Sequence, residues 1–184
     1  MGIVLLAGVL LAGWALFIYN RLTRLRQLAQ GAWADIDVQL KRRHDLVPQV
    51  VATVQGHAGY ERSTLEAVVE ARNRAARAEG PADRARAEEP VAGGLQRIVA
   101  LAEAYPDLRA MASFRQLQDT LTDVETHLQQ ARRYYNAVVR DYNTAREQFP
   151  ASLVAGLANF PPREFFGLAD DAERAVPDVR VEGR

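Results

Sequence analysis

Cysteine is absent from the 184 residues. That excludes a disulfide scaffold, a thiolate zinc site, an iron–sulfur cluster, a thiol nucleophile and a lipid-modified cysteine anchor. Charge of one sign is absent too: 23 Lys and Arg balance 23 Asp and Glu, for a formal net charge of zero. A chain that is basic overall for nucleic acid, or acidic and disordered, is excluded with it. Histidine is scarce, with three residues at positions 44, 57 and 127, and none sits in an H-E-x-x-H or Glu-x-x-His pattern. Zincin and di-iron carboxylate chemistry therefore lack their ligands. The glycine-rich phosphate loops and the G-x-S-x-G elbow are likewise missing. The length fits one modest domain.

What the sequence has in abundance is apolar helix. Residues 1–20 carry no charge, and residues 3–19 form seventeen consecutive apolar or glycine positions. As a helix this run is about 26 Å long, close to the ~30 Å hydrocarbon core of a bilayer. No basic region precedes it and no A-x-A cleavage site follows, so residues 1–20 are expected to be an uncleaved transmembrane anchor. Being apolar on every face, the run does not suit a buried core helix. Arg21, Arg24 and Arg26 follow it directly. By the positive-inside rule the short N-terminus faces outward and the bulk of the chain is cytoplasmic.

From Leu22 the apolar positions recur in steps of three and four through Leu25, Ala29, Trp33, Ile36, Leu40, His44, Val47, Val51 and Val54. One helix is expected over residues 21–55, with Pro48 kinking or breaking it near residues 45–47. Gly56 and Gly59 mark a turn. Ser63 and Glu66 resemble a capping box opening a helix over 61–78. Residues 79–94, with two Pro and three Gly, read as an exposed loop. A third helix is expected over 94–104 and a fourth over 114–149. In the fourth, Phe114, Leu117, Leu121, Val124, Leu128, Ala131, Tyr135, Val138, Tyr142, Ala145 and Phe149 hold a heptad pattern, with Ser113 and Gln116 as its capping pair. Residues 151–166, in which Phe160, Phe165 and Phe166 flank Pro161-Pro162, are expected to pack on the bundle in extended form, and 167–184 to be a disordered tail. The fold class is thus all-α: a transmembrane helix over 1–20, then an antiparallel bundle of two long and two short helices over 21–166.

Candidate chemistry is thin. Asp123 with His127 and His57 with Glu61 stand four apart, and each pair reads as a local solvent-facing contact. Asp35 and Asp37 point to different helix faces. Lys41, Arg42 and Arg43, and Arg132 and Arg133, read as solvated faces paired with Asp35, Asp37, Asp45 and Glu147. Tyr135-Asn136 and Tyr142-Asn143 repeat at heptad spacing, which places the Tyr in the core seam and the Asn in bonds across helices. No catalytic, metal or cofactor-binding residue is assigned, and no cofactor is expected.

Longer motifs are present: residues 32–48 (AWADIDVQLKRRHDLVP), 102–108 (AEAYPDL), Phe114-x-x-Leu117-Gln118, 131–136 (ARRYYN), and Tyr142-Asn143 ahead of Gln148-Phe149-Pro150. Over residues 3–166 the chain resembles the LemA family. Residues 56–61 depart from the family pattern in the order of their aromatic and His. The resemblance implies a single N-terminal transmembrane helix, a small external N-terminus and a soluble four-helix bundle, and it brings no catalytic residue with it. The expected function is a membrane-anchored interaction or scaffold protein, not an enzyme, at the cell membrane of a bacterium. Its partners are the lipid bilayer through residues 1–20 and another protein, with no nucleic acid. The alternative is a membrane-tethered enzyme or a small-ligand or metal binder, with a polar site inside the bundle around His44, Asp45 and Tyr142.

Overall fold

No proline or glycine separates the apolar run from the amphipathic stripe that follows it, so the sequence holds no strong helix breaker at residue 20. In the computed structural model, which describes residues 1–55, 62–103 and 105–167, the two are one element. Helix α1 spans Gly2–Val54. It passes through Pro48 without the expected break. Proline removes the N–H that would bond the His44 carbonyl four residues back. That carbonyl instead accepts Arg72 Nε from the next helix at 3.4 Å, and the Asp45 carbonyl accepts Gln49 Nε2 at 3.1 Å. The expected glycine turn at 56–61 lies outside the described residues, as does the His57–Glu61 pair.

Helix α2 is Arg62–Ala75. Helix α3 is Pro81–Glu103, so residues 81–94 are helical where a loop was expected. Gly80, at φ +77°, supplies the turn, its carbonyl accepts Arg84 N–H at 3.1 Å, and Pro81 takes the first helical position, where its missing N–H costs nothing. Gly93 and Gly94 are not hinges before a helix. A Cβ at Gly94 would stand 2.3 Å from Val68 Cγ2, so glycine there lets α3 lie against α2.

Two short helices were not anticipated: α4, Pro106–Ala110, and α6, Ala151–Leu157, in a stretch expected to be extended. Between them α5 runs Ala112–Glu147. Its N-cap is Met111, so Ser113 already lies inside the helix and cannot act as the cap. Phe149, the last heptad position, falls beyond the helix and is 81% exposed. Among the described residues there is no strand.

Burial divides the molecule into three apolar clusters strung along α1. Ile18 and Leu22 pack with Tyr142, Ala145, Ala155 and Phe160. Ala29, Ala32, Ile36 and Leu40 pack with Leu128, Tyr135, Val138, Val139 and Phe166. Val47, Val50 and Val54 pack with Leu65, Val68, Val91, Leu95, Ile98, Leu108 and Phe114. Helix α1 pairs mainly with α5, and α2 mainly with α3.

After α6 the chain continues extended over residues 160–165 and is fastened to α5 by its backbone. Tyr142 donates to the Pro161 carbonyl at 2.8 Å and Tyr135 to that of Glu164 at 2.8 Å. Asn143 bonds both the carbonyl (2.9 Å) and the N–H (3.0 Å) of Arg163. Asn136 does the same to Phe166, at 3.0 and 2.9 Å. Arg146 Nε donates to the Phe160 carbonyl at 3.0 Å, and Arg132 donates to that of Gly167. The heptad repeat of Tyr-Asn therefore reads an extended strap over residues 160–167, not another helix. Seven helical residues rise about 10.5 Å, and three extended residues span about 9.9 Å.

Burial pushes the Tyr135 and Tyr142 hydroxyls above the ordinary tyrosine value, against a lowering by nearby Arg163. The folded protein thus keeps protons that the unfolded chain releases near pH ~10, so stability is full below that pH and falls as pH rises through the folded values. Urea unfolding should show a midpoint flat from about pH 7 to 9 and declining above about 10. The double variant Tyr135→Phe/Tyr142→Phe should flatten the decline while losing about 1 kcal/mol per deleted bond at neutral pH. An unchanged alkaline slope in that variant would contradict the assignment.

Candidate functional site

Between the second and third apolar clusters α1 presents charge to the interior. Arg43 and His44 are 5% and 6% exposed, and Glu88 of α3 is 4% exposed. Glu88 reaches both: Arg43 Nη1 donates to Oε2 at 3.2 Å, and His44 Nε2 lies 2.6 Å from Oε1. A carboxylate only accepts, so Nε2 carries the proton. Arg43 Nη2 also pairs with Glu125 of α5, whose side chain is 44% exposed. One guanidinium thus ties α1 to α3 and α5 together. Unpaired, each of these ions would cost several kcal/mol of lost hydration.

Arg43 also floors two depressions. The larger, about 370 Å³, runs between α3 and α5 and is walled by Leu95, Gln96 and Val99 on one side and Gln118, Leu121 and Thr122 on the other. The smaller, about 140 Å³, is closed on its far side by Arg132, Phe166 and Gly167. Ala92 and Glu125 line both. The side chain at 92 is only a methyl. The groove combines apolar walls with amide, hydroxyl and carboxylate groups, the makeup of a recognition surface.

The polar site imagined around His44, Asp45 and Tyr142 does not form. His44 is buried against Glu88. Asp45, one residue on, faces solvent and pairs with Lys41 at 2.7 Å; the hydrogen bond from Lys41 holds its carboxyl below the usual range. Tyr142 belongs to the cluster of Ile18 and Leu22, and Leu22 and His44 are about 33 Å apart along α1. The run at 41–43 is not a wholly solvated face, because Arg43 is interior. Arg132 is engaged by the strap. Asp37 pairs with Arg84 at 2.6 Å, and Glu147 with Arg146 at 3.1 Å. Asp123 and His127 meet at 3.3 Å in the open. Among the described residues no three His, Asp or Glu side chains converge as metal ligands.

Glu88 and Glu125 escaped sequence reasoning. Glu88 lies in the segment that its Pro and Gly content disguised as a loop, and Glu125 reads as an ordinary outer position beside Val124. The available signal was the adjacency of Arg43 and His44, with His44 on the apolar stripe.

Comparison with known proteins supplies relatives. A sequence model described as the LemA family matches residues 32–181. The Magnetosome protein MamQ of Magnetospirillum gryphiswaldense is 23% identical over 174 residues, 80% of this chain and 64% of the relative. The Magnetosome protein MamQ 2 of Paramagnetospirillum magneticum is 22% identical over 192 residues, 90% of this chain and 71% of the relative. The chain thus spans just under two thirds of the first relative's length.

Removing one partner of a buried pair strands the other, at a typical cost of about 3–5 kcal/mol, whereas replacing the whole set with apolar residues is often neutral. Glu88→Gln is therefore expected to lower unfolding free energy by about 3 kcal/mol. The triple variant Arg43→Met/His44→Leu/Glu88→Leu should lose less than the single one. A Glu88→Gln cost below about 1 kcal/mol in urea titration would show that the cluster is not a buried ionic lock.

Proposed function

The chain belongs to the LemA family, and from that premise we propose that it is a membrane-anchored interaction protein that works by binding and performs no reaction. The observation that carries this reading is the continuity of α1. Over residues 2–17 the helix is apolar or glycine and, Ala15 apart, exposed, and from Ile18 one stripe of it enters the protein interior with no intervening linker. Its apolar stretch is long enough to cross a membrane. In this reading residues 1–20 are a single-pass anchor, Arg21, Arg24 and Arg26 hold the remainder on the cytoplasmic side of a bacterial cell membrane, and α1, α2, α3 and α5 form an antiparallel four-helix bundle. The α3–α5 groove then stands well clear of the bilayer, since Arg43 lies about 37 Å along α1 from Ile18. That height suits a soluble protein partner or the soluble part of another membrane protein.

The test uses the full chain in its native membranes. It is expected to resist alkaline carbonate extraction. A photo-crosslinking amino acid at Gln96 or Thr122, on the two groove walls, should trap a discrete protein partner that the same group at exposed Arg140 does not. Release into the carbonate supernatant would refute the anchor. The absence of any stoichiometric adduct from both groove positions would refute binding through this surface.

A further inference from the structure

The largest exposed apolar side chains beyond the N-terminal run are gathered at one place. Phe149, Leu153 and Leu157 are 81%, 61% and 90% exposed, whereas no other large apolar residue past position 19 among the described residues exceeds the 52% of Tyr134. Leu153 and Leu157 are four apart, on one face of α6. The opposite face is pinned down. Ala155, and Phe160 just beyond the helix, pack with Ile18 and Leu22 of α1, and Phe160 meets the Tyr19 ring edge-on at 5.5 Å. The patch therefore sits at the level where the exposed apolar part of α1 ends. Helix α6 carries no charged residue. Phe149 lies in the short connection between α5, which ends at Glu147, and α6, which begins at Ala151.

The run of seventeen apolar or glycine positions is at the lower limit of what crosses a ~30 Å hydrocarbon core. A span at that limit thins the bilayer locally or recruits flanking groups. A neutral helix flush with its end, showing leucine and phenylalanine outward, supplies such groups. Arg26 lies over the Phe160 ring at 4.9 Å, and Arg21 and Arg24 are exposed beside it, where they would meet lipid phosphates.

We propose that α6 with Phe149 is a second membrane contact, seated in the bilayer surface beside the end of the α1 span, its occupant being lipid acyl chain and not a protein. This rests on the reading of residues 1–20 as an anchor. Such a foot fixes the rotation and tilt of the soluble helices over the membrane, which a single span leaves free.

Because the chain has no cysteine, full-length single-cysteine variants Leu10→Cys, Leu153→Cys, Leu157→Cys and Thr122→Cys can each carry one environment-sensitive fluorophore in phosphatidylethanolamine/phosphatidylglycerol vesicles. Lipids spin-labelled near the headgroup should remove about half or more of the emission at 153 and 157, lipids spin-labelled near the acyl-chain end should do the same at 10, and both should leave that at 122 intact. Aqueous iodide should do the reverse. Quenching at 10 with none at 153 and 157 keeps the anchor and overturns the foot. Shielding at 153 and 157 from both quenchers assigns the patch to a second copy of the chain and also overturns it. No lipid quenching at 10 removes the anchor, and this inference with it.

Discussion

Along α1 no side chain is buried through Phe17, and from Ile18 onward one stripe of the helix is buried while its other faces stay exposed, yet the helix is unbroken. The same backbone hydrogen-bond ladder serves a stretch suited to hydrocarbon and a stretch suited to a protein core. What differs is only which solvent accepts the apolar groups. Every other element is placed by reference to this rod. Helix α5 and the strap cover residues 18–40, α2 and α3 cover residues 47–54, and the buried Arg43 and His44 side chains fall in the gap between those covers.

That gap has a physical consequence. Three apolar clusters alone would tolerate sliding of one helix against another with modest loss. A buried guanidinium with two carboxylates on two different helices does not tolerate it, because a shift strands charge. The strap adds a second register device. Its backbone is bonded at both N–H and carbonyl by Asn136 and Asn143, so a slip of one residue would break several bonds together. Pro48 joins in as well: the carbonyl it frees is a landing point for Arg72, which turns an interruption of α1 into a tie to α2.

The all-helical class, the N-terminal apolar helix and the family were legible because they rest on period and length. So were most core positions: Leu22, Ile36, Leu40, Val124, Leu128 and Tyr142 lie where the stripes put them. The reading failed where local propensity competes with tertiary packing. Pro90, Gly93 and Gly94 predict a loop, but helix contacts outweigh the roughly 1 kcal/mol that each glycine costs. The Asn at 136 and 143 signalled a polar bond without saying that its partner was the extended strap after α6. The charge cluster stayed hidden because Glu88 and Glu125 stand 45 and 82 residues from Arg43, and no helical period links such distances.

The account stands on α1 remaining one helix from membrane to core in the bilayer itself. Amide hydrogen exchange of the full chain in lipid vesicles, read residue by residue across positions 15–30, tests this directly. Unbroken slow exchange through Tyr19, Asn20 and Arg21 is the expected result. A window of fast exchange there, with slow exchange on either side, would mean a flexible joint, and the rigid coupling of anchor to core would be wrong.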